Sequence, residues 1–129
     1  MRSEESAVCL VDDDDDPLVL NSLRHLLASD GIATCSFDKA ETFLAHIKMY
    51  PVALVVLDIW MERVTGLEVM ARLSVLSPQT RVIVITARND LAARATAMAS
   101  GPVAFFIKPF SDEKFLAAVH DALGQARSS

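Results

Sequence analysis

A run of six apolar residues that ends in a single acid is the feature that most limits how this chain can fold. Residues 52–57 read VALVVL, and Asp58 follows them directly. A short apolar run rich in β-branched residues is typical of a strand buried on both faces, as in parallel sheets. Because open α/β sheets bind ligands at the carboxyl ends of their strands, Asp58 is a candidate functional residue. An acid that only helps the chain to turn would occupy the same place. The residues at the ends of the other strands are therefore needed to distinguish a structural role of Asp58 from a functional one.

Four more strand-like runs alternate with five helical patterns along the chain. We predict strands at residues 7–11, 32–37, 52–58, 81–86 and 103–107, each followed by a helix. This alternation predicts a parallel sheet with helices on both faces and right-handed crossovers. The expected fold is α/β, a flavodoxin-like (βα)5 doubly wound sandwich with a five-stranded parallel sheet in the order 2-1-3-4-5. In that order the first and third strands are neighbours.

Several local signals predict how the helices begin and which side chains face inward. Asp38 and Glu41 have the spacing of a capping box at the start of the second helix. The third helix is expected to bury a stripe that includes Ala71, and Ser111 is expected to cap the fifth helix. Phe105 and Phe106 are consecutive in the fifth strand. Strand alternation predicts that only one of the two faces inward.

Composition and charge limit the class of protein. The chain has 129 residues, is 52% hydrophobic and carries a formal net charge of -5, which suits one globular domain and not a nucleic-acid-binding surface. No apolar run is long enough to span a bilayer, and the first residues, MRSEESAV, lack a signal-peptide core. We therefore expect a cytoplasmic protein that does not bind a membrane. Residues 1–6 are expected to be disordered, 7–124 to form the domain, and 125–129 to form a tail or the start of a linker.

Two cysteines and three histidines give no metal-binding pattern in the sequence. Cys9 and Cys35 lie in apolar, strand-like stretches without ligand spacing, which favours buried free thiols in a reducing compartment. His25, His46 and His120 fall on three separate predicted helices. We interpret them as solvated helix positions.

Polar groups follow several of the predicted strands. Five aspartates, residues 12–16, come directly after the first strand, Thr86 ends the fourth, and Lys108 follows the fifth. The carboxyl ends of parallel strands meet at one edge of the sheet, so these groups are expected to converge on Asp58. Any one of them has an ordinary explanation as a loop or strand residue. Their coincidence at one edge favours a functional site.

The chemistry of this set indicates a metal-assisted phosphoryl transfer. Two unit charges ~4 Å apart repel by roughly 4 kcal/mol at an effective dielectric near 20, so clustered carboxylates need a cation or a proton. Oxygen ligands with room for water suit Mg²⁺ or Mn²⁺. Beside such a metal, Asp58 could attack phosphorus and form an aspartyl phosphate. Thr86 and Lys108 would neutralise charge on the transferring group.

Other functions compete with this interpretation. A calcium loop starting at Asp12 is excluded, because Pro17 and Leu23 stand where a glycine and an acid are required. A Mg²⁺-dependent aspartyl-phosphate hydrolase would normally carry a second acid two residues past the nucleophile, where Trp60 stands. A domain of the same fold that binds partners with little phosphorylation stays open, given the unusual acidic loop.

With these residues assembled, the chain resembles the receiver (phosphoacceptor) domains of bacterial two-component response regulators. The likeness covers residues 8 to about 123 and rests on the segments CLVDDDDDPLVLNSLRHLL, SFDKAETFL, VVLDIWM, TGLEVM, RVIVITA and FFIKPF. The sequence of these segments is most similar to that of receivers that precede a helix-turn-helix output domain. The resemblance implies a phosphoacceptor signalling domain, not an enzyme in its own right, that assists its own phosphoryl transfer and dephosphorylation.

The resemblance also implies roles for individual residues. Asp58 would be the phosphorylated residue, and Thr86 and Lys108 would contact the phosphoryl group. Mg²⁺ would be held by an acidic pair after the first strand, by Asp58 and by the backbone carbonyl of Trp60. Phe105 matches an aromatic switch position that follows Thr86, and the Lys108-Pro109 bond would be cis.

Partners follow from the same resemblance. A histidine kinase would supply the phosphoryl group to Asp58. The face formed by the fourth helix, fifth strand and fifth helix would repack after phosphorylation and could bind a partner or a second copy of the chain. The kinase, the input signal and the output stay open, as does whether the chain acts alone or within a longer regulator.

The sequence departs from the family pattern in two places. Five acids stand where two or three are usual, so the metal-binding pair is Asp12 and Asp13 if counted from the strand, or Asp14 and Asp15 if counted from the helix. We favour the first count, since the second would put two charges inside a buried strand. Met61-Glu62 replaces the common Met-Pro, which together with Trp60 leaves the lifetime of the phosphorylated state open.

Overall fold

A computed structural model describes residues 8–12, 18–59, 66–87 and 90–124, with the side chains of residues 18–20 left out. Five strands and five helices alternate along these segments. The strands are β1 (Val8–Val11), β2 (Thr34–Phe37), β3 (Leu54–Asp58), β4 (Arg81–Thr86) and β5 (Ala104–Ile107). The helices are α1 (Leu18–Ser29), α2 (Ala40–Met49), α3 (Gly66–Leu76), α4 (Leu91–Ala99) and α5 (Asp112–Ala122).

The five strands form one parallel sheet in the order β2-β1-β3-β4-β5. This confirms the predicted fold class and strand order. In the register between β1 and β3, Val11 lies opposite Leu57. The residues that follow, Asp12 and Asp58, therefore leave the sheet side by side, at a strand spacing of ~4.8 Å.

Each face of the sheet packs into its own apolar cluster. Consecutive strand residues alternate between the clusters, as the two-residue period of a strand requires. One cluster joins the sheet to α2, α3 and α4 through residues such as Val55, Phe43, Val69 and Ala97. The other joins it to α1 and α5 through residues such as Val56, Leu27, Phe115 and Val119. A sheet covered on both faces explains why β1 and β3 are apolar at successive positions.

Two consecutive phenylalanines in β5 correct one expectation. Phe105 packs against the α2-α3-α4 cluster and Phe106 against the α1-α5 cluster, and both are partly buried. The expectation that only one of them faces inward was wrong. It did not follow from the predicted doubly wound sheet, in which both faces carry a helical layer and both strand directions face inward.

Two helix details also differ from the sequence expectations. The N-cap of α2 is Lys39, in extended conformation and without a side-chain cap, so the capping box of Asp38 and Glu41 does not form. The helix starts at the buried Ala40, in register with the buried Phe43, so burial sets its start and capping does not. In α3, Ala71 is exposed, and Val69 is buried with Met70 and Leu73.

The cap of the fifth helix is confirmed. The Ser111 hydroxyl accepts a hydrogen bond from the backbone N–H of Lys114 at 3.2 Å. Asp90 caps α4 in the same way, accepting from the N–H of Ala93 at 3.0 Å. Side-chain oxygens at these positions satisfy backbone donors that a helix start leaves without intrahelical partners.

Every helix in the described segments is too short or too polar to span a bilayer. The described part of the predicted domain, from Val8 to Gly124, is covered by the single sheet and its two helical layers. The expectations for residues 1–6 and 125–129 concern parts of the chain outside the described residues.

Candidate functional site

Asp58 is the last residue of β3, the central strand of the sheet. Its exposed fraction is only 3%, although it carries an ionisable side chain. Four apolar residues precede it in the strand and are fully or almost fully buried. The strand therefore delivers a single carboxylate to the edge of the sheet from inside the core, which is costly unless that carboxylate has polar partners.

Lys108 supplies one such partner. Its Nζ lies 3.1 Å from Oδ2 of Asp58 and donates a hydrogen bond to it. The backbone N–H of Lys108 donates to the carbonyl of Thr86 at 2.8 Å, which ties the end of β5 to the end of β4. The Lys108-Pro109 peptide bond is cis, as the resemblance implied. The lysine side chain, which follows β5, thus reaches past β4 to the carboxylate at the end of β3.

Asp12 brings a second carboxylate to the same edge. It directly follows β1, is 2% exposed, and its backbone N–H donates to the carbonyl of Phe37 at 3.1 Å. This hydrogen bond extends the pairing of β1 with β2 by one residue. Asp12 therefore lies at the end of β1, beside β3, and which acids form the metal-binding pair stays a prediction.

Thr86 and Phe105 occupy the neighbouring strands β4 and β5. Thr86 ends β4 and is fully buried. Strand alternation places its side chain on the side of Val84, which belongs to the same cluster against which Phe105 packs. The guanidinium carbon of Arg94, on α4, lies 5.3 Å from the centre of the Phe105 ring. A cation–π contact thus joins α4 to β5 near the site.

Gly66, the first residue of α3, is held unusually close to the site strand. Its backbone N–H donates to the carbonyl of Ile59 at 3.1 Å. A Cβ at this position would come within 2.8 Å of the carbonyl oxygen of Asp58, a distance that real Cβ atoms essentially never show. Sequence analysis gave no role to Gly66 or Arg94. Only the quoted segment TGLEVM contained a signal for the glycine.

Several predicted residues lie outside the described residues. These are Asp13 and the carbonyl of Trp60 in the proposed metal set, the alternative pair Asp14 and Asp15, and the departure at Glu62. Their assignments stay predictions. The described residues do bring together Asp12, Asp58 and Lys108, with Thr86 on the adjacent strand.

The donor set fits a hard divalent cation. Among the described residues, two buried carboxylates at the ends of adjacent strands stand against the single ammonium of Lys108. Mg²⁺ is usually held by one or two carboxylates with water and phosphate oxygens. Asp12 and Asp58 are the described residues that could hold such an ion. The same set could bind a phosphoryl group through the lysine ammonium and the Thr86 hydroxyl.

Comparison with known proteins gives a consistent result. The profile of the family described as "Response regulator receiver domain" matches residues 8–120. The chain is 33% identical to the response regulator protein TmoT of Ectopseudomonas mendocina, over 95% of this chain and 55% of that protein. It is 34% identical to the transcriptional regulatory protein FixJ of Azorhizobium caulinodans, over 95% of this chain and 57% of that protein. The chain thus spans about half the length of these relatives.

Solved structures agree with the sequence matches. The solution structure of the beryllofluoride-activated NtrC4 receiver domain dimer superposes with a TM-score of 0.83 at 29% identity. The match covers 92% of this chain and 96% of that one. The structural similarity therefore extends over nearly the whole of both chains.

Proposed function

The chain belongs to the response regulator receiver domains of two-component systems, and on that basis we propose that it accepts a phosphoryl group on Asp58 from a partner histidine kinase, in the cytoplasm. One observation carries the proposal. Asp58 is a carboxylate that is 3% exposed and yet has the Lys108 ammonium 3.1 Å from one oxygen, beside the second buried acid Asp12. Two buried acids at one sheet edge repel each other unless cations offset their charge. A phosphoryl-transfer site with a nucleophilic acid, a metal-binding acid and a charge-stabilising lysine accounts for all three residues.

The chain's own residues can perform the transfer. A carboxylate oxygen of Asp58 attacks the phosphorus of a phosphorylated imidazole, the P–N bond breaks, and the imidazole leaves with the electron pair. Lys108 then moves its hydrogen bond from Asp58 to an oxygen of the transferring group, which stabilises the charge spread over that group. The hydroxyl of Thr86, one strand away, contacts another phosphoryl oxygen. Asp58 is thereby both nucleophile and anchor of the product.

Mg²⁺, or Mn²⁺ in its place, would be held by Asp12, Asp58, Asp13 and the carbonyl of Trp60. When bound it would neutralise the carboxylates and the phosphoryl oxygens, the role that divalent ions have in phosphoryl transfer. The two described members of this set are side by side at the ends of β1 and β3. A role in metal binding would explain why an acid is kept at this position, where it is only 2% exposed.

Phosphorylation is expected to act on the α4-β5-α5 face. A phosphoryl group on Asp58 would draw the Thr86 hydroxyl toward it, and Phe105 would follow into the space that the threonine leaves. The Phe105 ring carries the guanidinium of Arg94, so its movement would be felt by α4. Ala97 is the only fully buried residue of α4, which makes this helix the weakest-held of the helices whose burial is described. A weakly held helix is the natural element for a switch.

The test is phosphorylation by acetyl phosphate, followed by intact-mass analysis with and without Mg²⁺. We expect a Mg²⁺-dependent gain of one phosphoryl group in the wild type and none in Asp58→Asn. Asp38→Asn is the matched control, since Asp38 also follows a strand but is exposed. Asp12→Asn should weaken the Mg²⁺ dependence more than Asp14→Asn.

Two outcomes of the same assay would contradict the proposal. Phosphate incorporation by Asp58→Asn equal to that of the wild type would mean that another residue is the acceptor. A wild type that binds Mg²⁺ but gains no mass would favour a receiver-like module that acts by binding partners without phosphorylation.

A further inference from the structure

Three potential metal ligands meet on the side of β1 and β2 that faces α2. Cys9 lies in β1, Cys35 in β2 and His46 in α2. The two sulfur atoms and a ring nitrogen of the histidine all lie within 4.8 Å of one another. Cys9 is fully buried, whereas Cys35 and His46 are partly exposed. The group therefore combines one buried residue with two that are partly exposed.

Sheet geometry brings the two thiols together. Cys9 and Cys35 are register partners in the parallel pairing of β1 with β2. Partners on adjacent parallel strands point to the same face, and their backbones are ~4.8 Å apart. Both side chains belong to the cluster under α2, where Cys9 is a core member and Cys35 packs against it. The pairing is therefore a consequence of the register of two strands.

Aromatic packing holds the histidine over the thiols. The His46 ring lies 5.0 Å from that of Phe37 and 5.2 Å from that of Tyr50, centre to centre. Phe37 is two residues after Cys35 on the same strand face, and Tyr50 directly follows α2. Contacts with two aromatic rings limit the orientations of the imidazole. A ligand that is already oriented loses less entropy when it binds a metal.

We propose that Cys9, Cys35 and His46 form a binding site for Zn²⁺, with water as the fourth ligand. Tetrahedral zinc with ordinary bond lengths needs sulfur atoms ~3.8 Å apart and sulfur–nitrogen distances of ~3.6 Å. The donor atoms, all within 4.8 Å, need to close in by at most about 1.2 Å to reach these values. Rotation of the Cys35 side chain, with a small shift of the imidazole within its aromatic contacts, can supply that movement. Cys35 and His46 are only partly buried, so water and the ion would approach from their side of the group.

Charge balance favours zinc over another thiophilic metal. Two thiolates and Zn²⁺ with a neutral imidazole sum to zero, whereas Cu⁺ would leave one net negative charge. The site adjoins the apolar cluster that contains Val11, Val55 and Phe43, all fully or almost fully buried. A net charge in such surroundings is costly, so the neutral combination is preferred. Hard ions such as Mg²⁺ do not select sulfur ligands.

The site is separate from Asp58 and does not depend on the proposed phosphorylation. Cys9 precedes Asp12 by three residues along β1, a distance of ~10 Å. Zinc there would join β1, β2 and α2 at a place where the edge strand β2 is only partly buried. Binding would therefore protect this edge without occupying the carboxylates.

The experiment uses the full chain, reduced with a phosphine and stripped of metal with a chelator. Co²⁺ is added first as a spectroscopic probe, because tetrahedral Co²⁺ bound to thiolate gives a charge-transfer band that carboxylate ligands do not give. Zn²⁺ is then titrated against the cobalt complex to obtain its affinity and stoichiometry. We expect one equivalent of Co²⁺ with the sulfur band, displaced by one equivalent of Zn²⁺.

Variants at the two partly exposed ligands keep the test independent of folding. Cys35→Ser and His46→Gln should each weaken Zn²⁺ binding by roughly 100-fold or more, since even indirect supports of a metal site cost 10- to 100-fold. His25→Gln, on the exposed face of α1, is the matched control and should bind as the wild type does. Asp58→Asn should also retain the sulfur band. Circular dichroism of each variant confirms that it is folded.

Two results would overturn the proposal. The first is a wild type that shows no sulfur-to-cobalt band at one equivalent. The second is zinc binding by Cys35→Ser and His46→Gln that matches the control, together with its loss in Asp58→Asn, which would place the metal at the carboxylates instead. Zinc-dependent protection of Cys35 from alkylation, lost in His46→Gln, would support it independently.

Discussion

At the scale of single residues, Lys108 is the side chain whose removal most directly tests the site. We expect Lys108→Met to slow phosphorylation of Asp58 at least about tenfold, since charge-stabilising donors in such sites typically contribute that much or more. Mg²⁺ affinity should change by less than about threefold, because the ammonium is not a metal ligand. Rates come from intact mass against time, and affinity from calorimetry.

The control for this substitution is Lys114→Met, which removes an exposed lysine from α5. It should leave both the phosphorylation rate and the Mg²⁺ affinity unchanged. A Lys108→Met protein that phosphorylates normally but no longer responds to Mg²⁺ would contradict the role assigned to the lysine.

Cys9 gives a pH dependence of stability whose sign is fixed by its surroundings. Burial, with a smaller effect from the neighbouring Cys35, raises the pKa of Cys9 from 9.0 to about 12. Above pH 9 the unfolded chain releases this proton while the folded chain retains it, so stability falls as pH rises toward 12. The slope is at most about 1.4 kcal/mol per pH unit, and below pH 9 the group makes no difference to the slope.

Urea unfolding of metal-free wild type and Cys9→Ala, at pH values from 8 to the alkaline limit of folding, checks this expectation. The variant loses some stability at every pH through the missing sulfur, but its alkaline slope should be shallower than that of the wild type. Parallel slopes for the two proteins would show that the Cys9 thiol ionises as readily in the folded state.

Residue-level prediction from the sequence succeeded where position in a strand decided the outcome. Asp58, Thr86 and Lys108 each end or follow an apolar run, so the sheet edge could be drawn without coordinates. The group of Cys9, Cys35 and His46 could not be found in that way. Its members come from three elements, and only the register of β1 with β2 and the position of α2 bring their donor atoms together.

At the scale of elements, the junction between β3 and α3 depends on a close approach that only glycine permits. We expect Gly66→Ala to lower the free energy of unfolding by about 1–3 kcal/mol, the usual cost of forcing an extra group into a packed region. Because the new Cβ would press on the backbone of Asp58 and Ile59, phosphorylation should slow as well. Urea unfolding and the acetyl phosphate assay measure the two effects.

Gly31→Ala is the control for this junction. Gly31 has a φ of 76°, so alanine is strained there, but nothing lies within 4 Å of the added Cβ. The control should lose stability without a change in phosphorylation rate. Equal phosphorylation rates in Gly66→Ala and wild type would show that the junction yields without moving Asp58.

Element boundaries were less predictable than element order. Arg81–Thr86 was predicted to the residue, and other strands begin later than predicted, as in β3, which starts at Leu54. The apolar run that starts at residue 52 is longer than the part that pairs with β1 and β4. The extent of pairing depends on the neighbouring strands, so it cannot be predicted from one segment alone. The start of α2 shows the same limit, because burial of Ala40 and Phe43 overrode the local capping signal.

At the scale of the whole molecule, phosphorylation is expected to produce a dimer through the α4-β5-α5 face. Large apolar residues are exposed on α4, at Leu91 (76%) and Met98 (46%), and directly before β5, at Val103 (49%). Beryllofluoride with Mg²⁺ should shift the chain toward a dimer in sedimentation equilibrium, because it mimics the phosphoryl group on Asp58. Met98→Asp should weaken this dimer at least about tenfold by placing a charge in the contact.

Val75→Asp is the matched control, since Val75 is 79% exposed but lies on α3, away from the face. It should dimerise as the wild type does. A dimer that survives Met98→Asp but not Val75→Asp would move the interface to another part of the molecule.

The overall architecture was the most predictable level of all. Alternating strands and helices, joined by right-handed crossovers, leave few ways to build a sheet, and the strand order β2-β1-β3-β4-β5 was among them. The sequence could not show how evenly the two faces are covered. Phe105 and Phe106 revealed this, because each enters a different apolar cluster.

The hydrogen bond from the Asp12 N–H to the Phe37 carbonyl links β2, at one edge of the sheet, to the candidate site. Asp12 is anchored through its backbone to β2, which pairs with β1 alone among the described strands. A protein that paired with the free edge of β2, or a substitution that loosened β2, would therefore shift the Asp12 carboxylate relative to Asp58. A change at the edge strand β2 would thus reach the candidate site through a backbone hydrogen bond, without a change in any charged side chain.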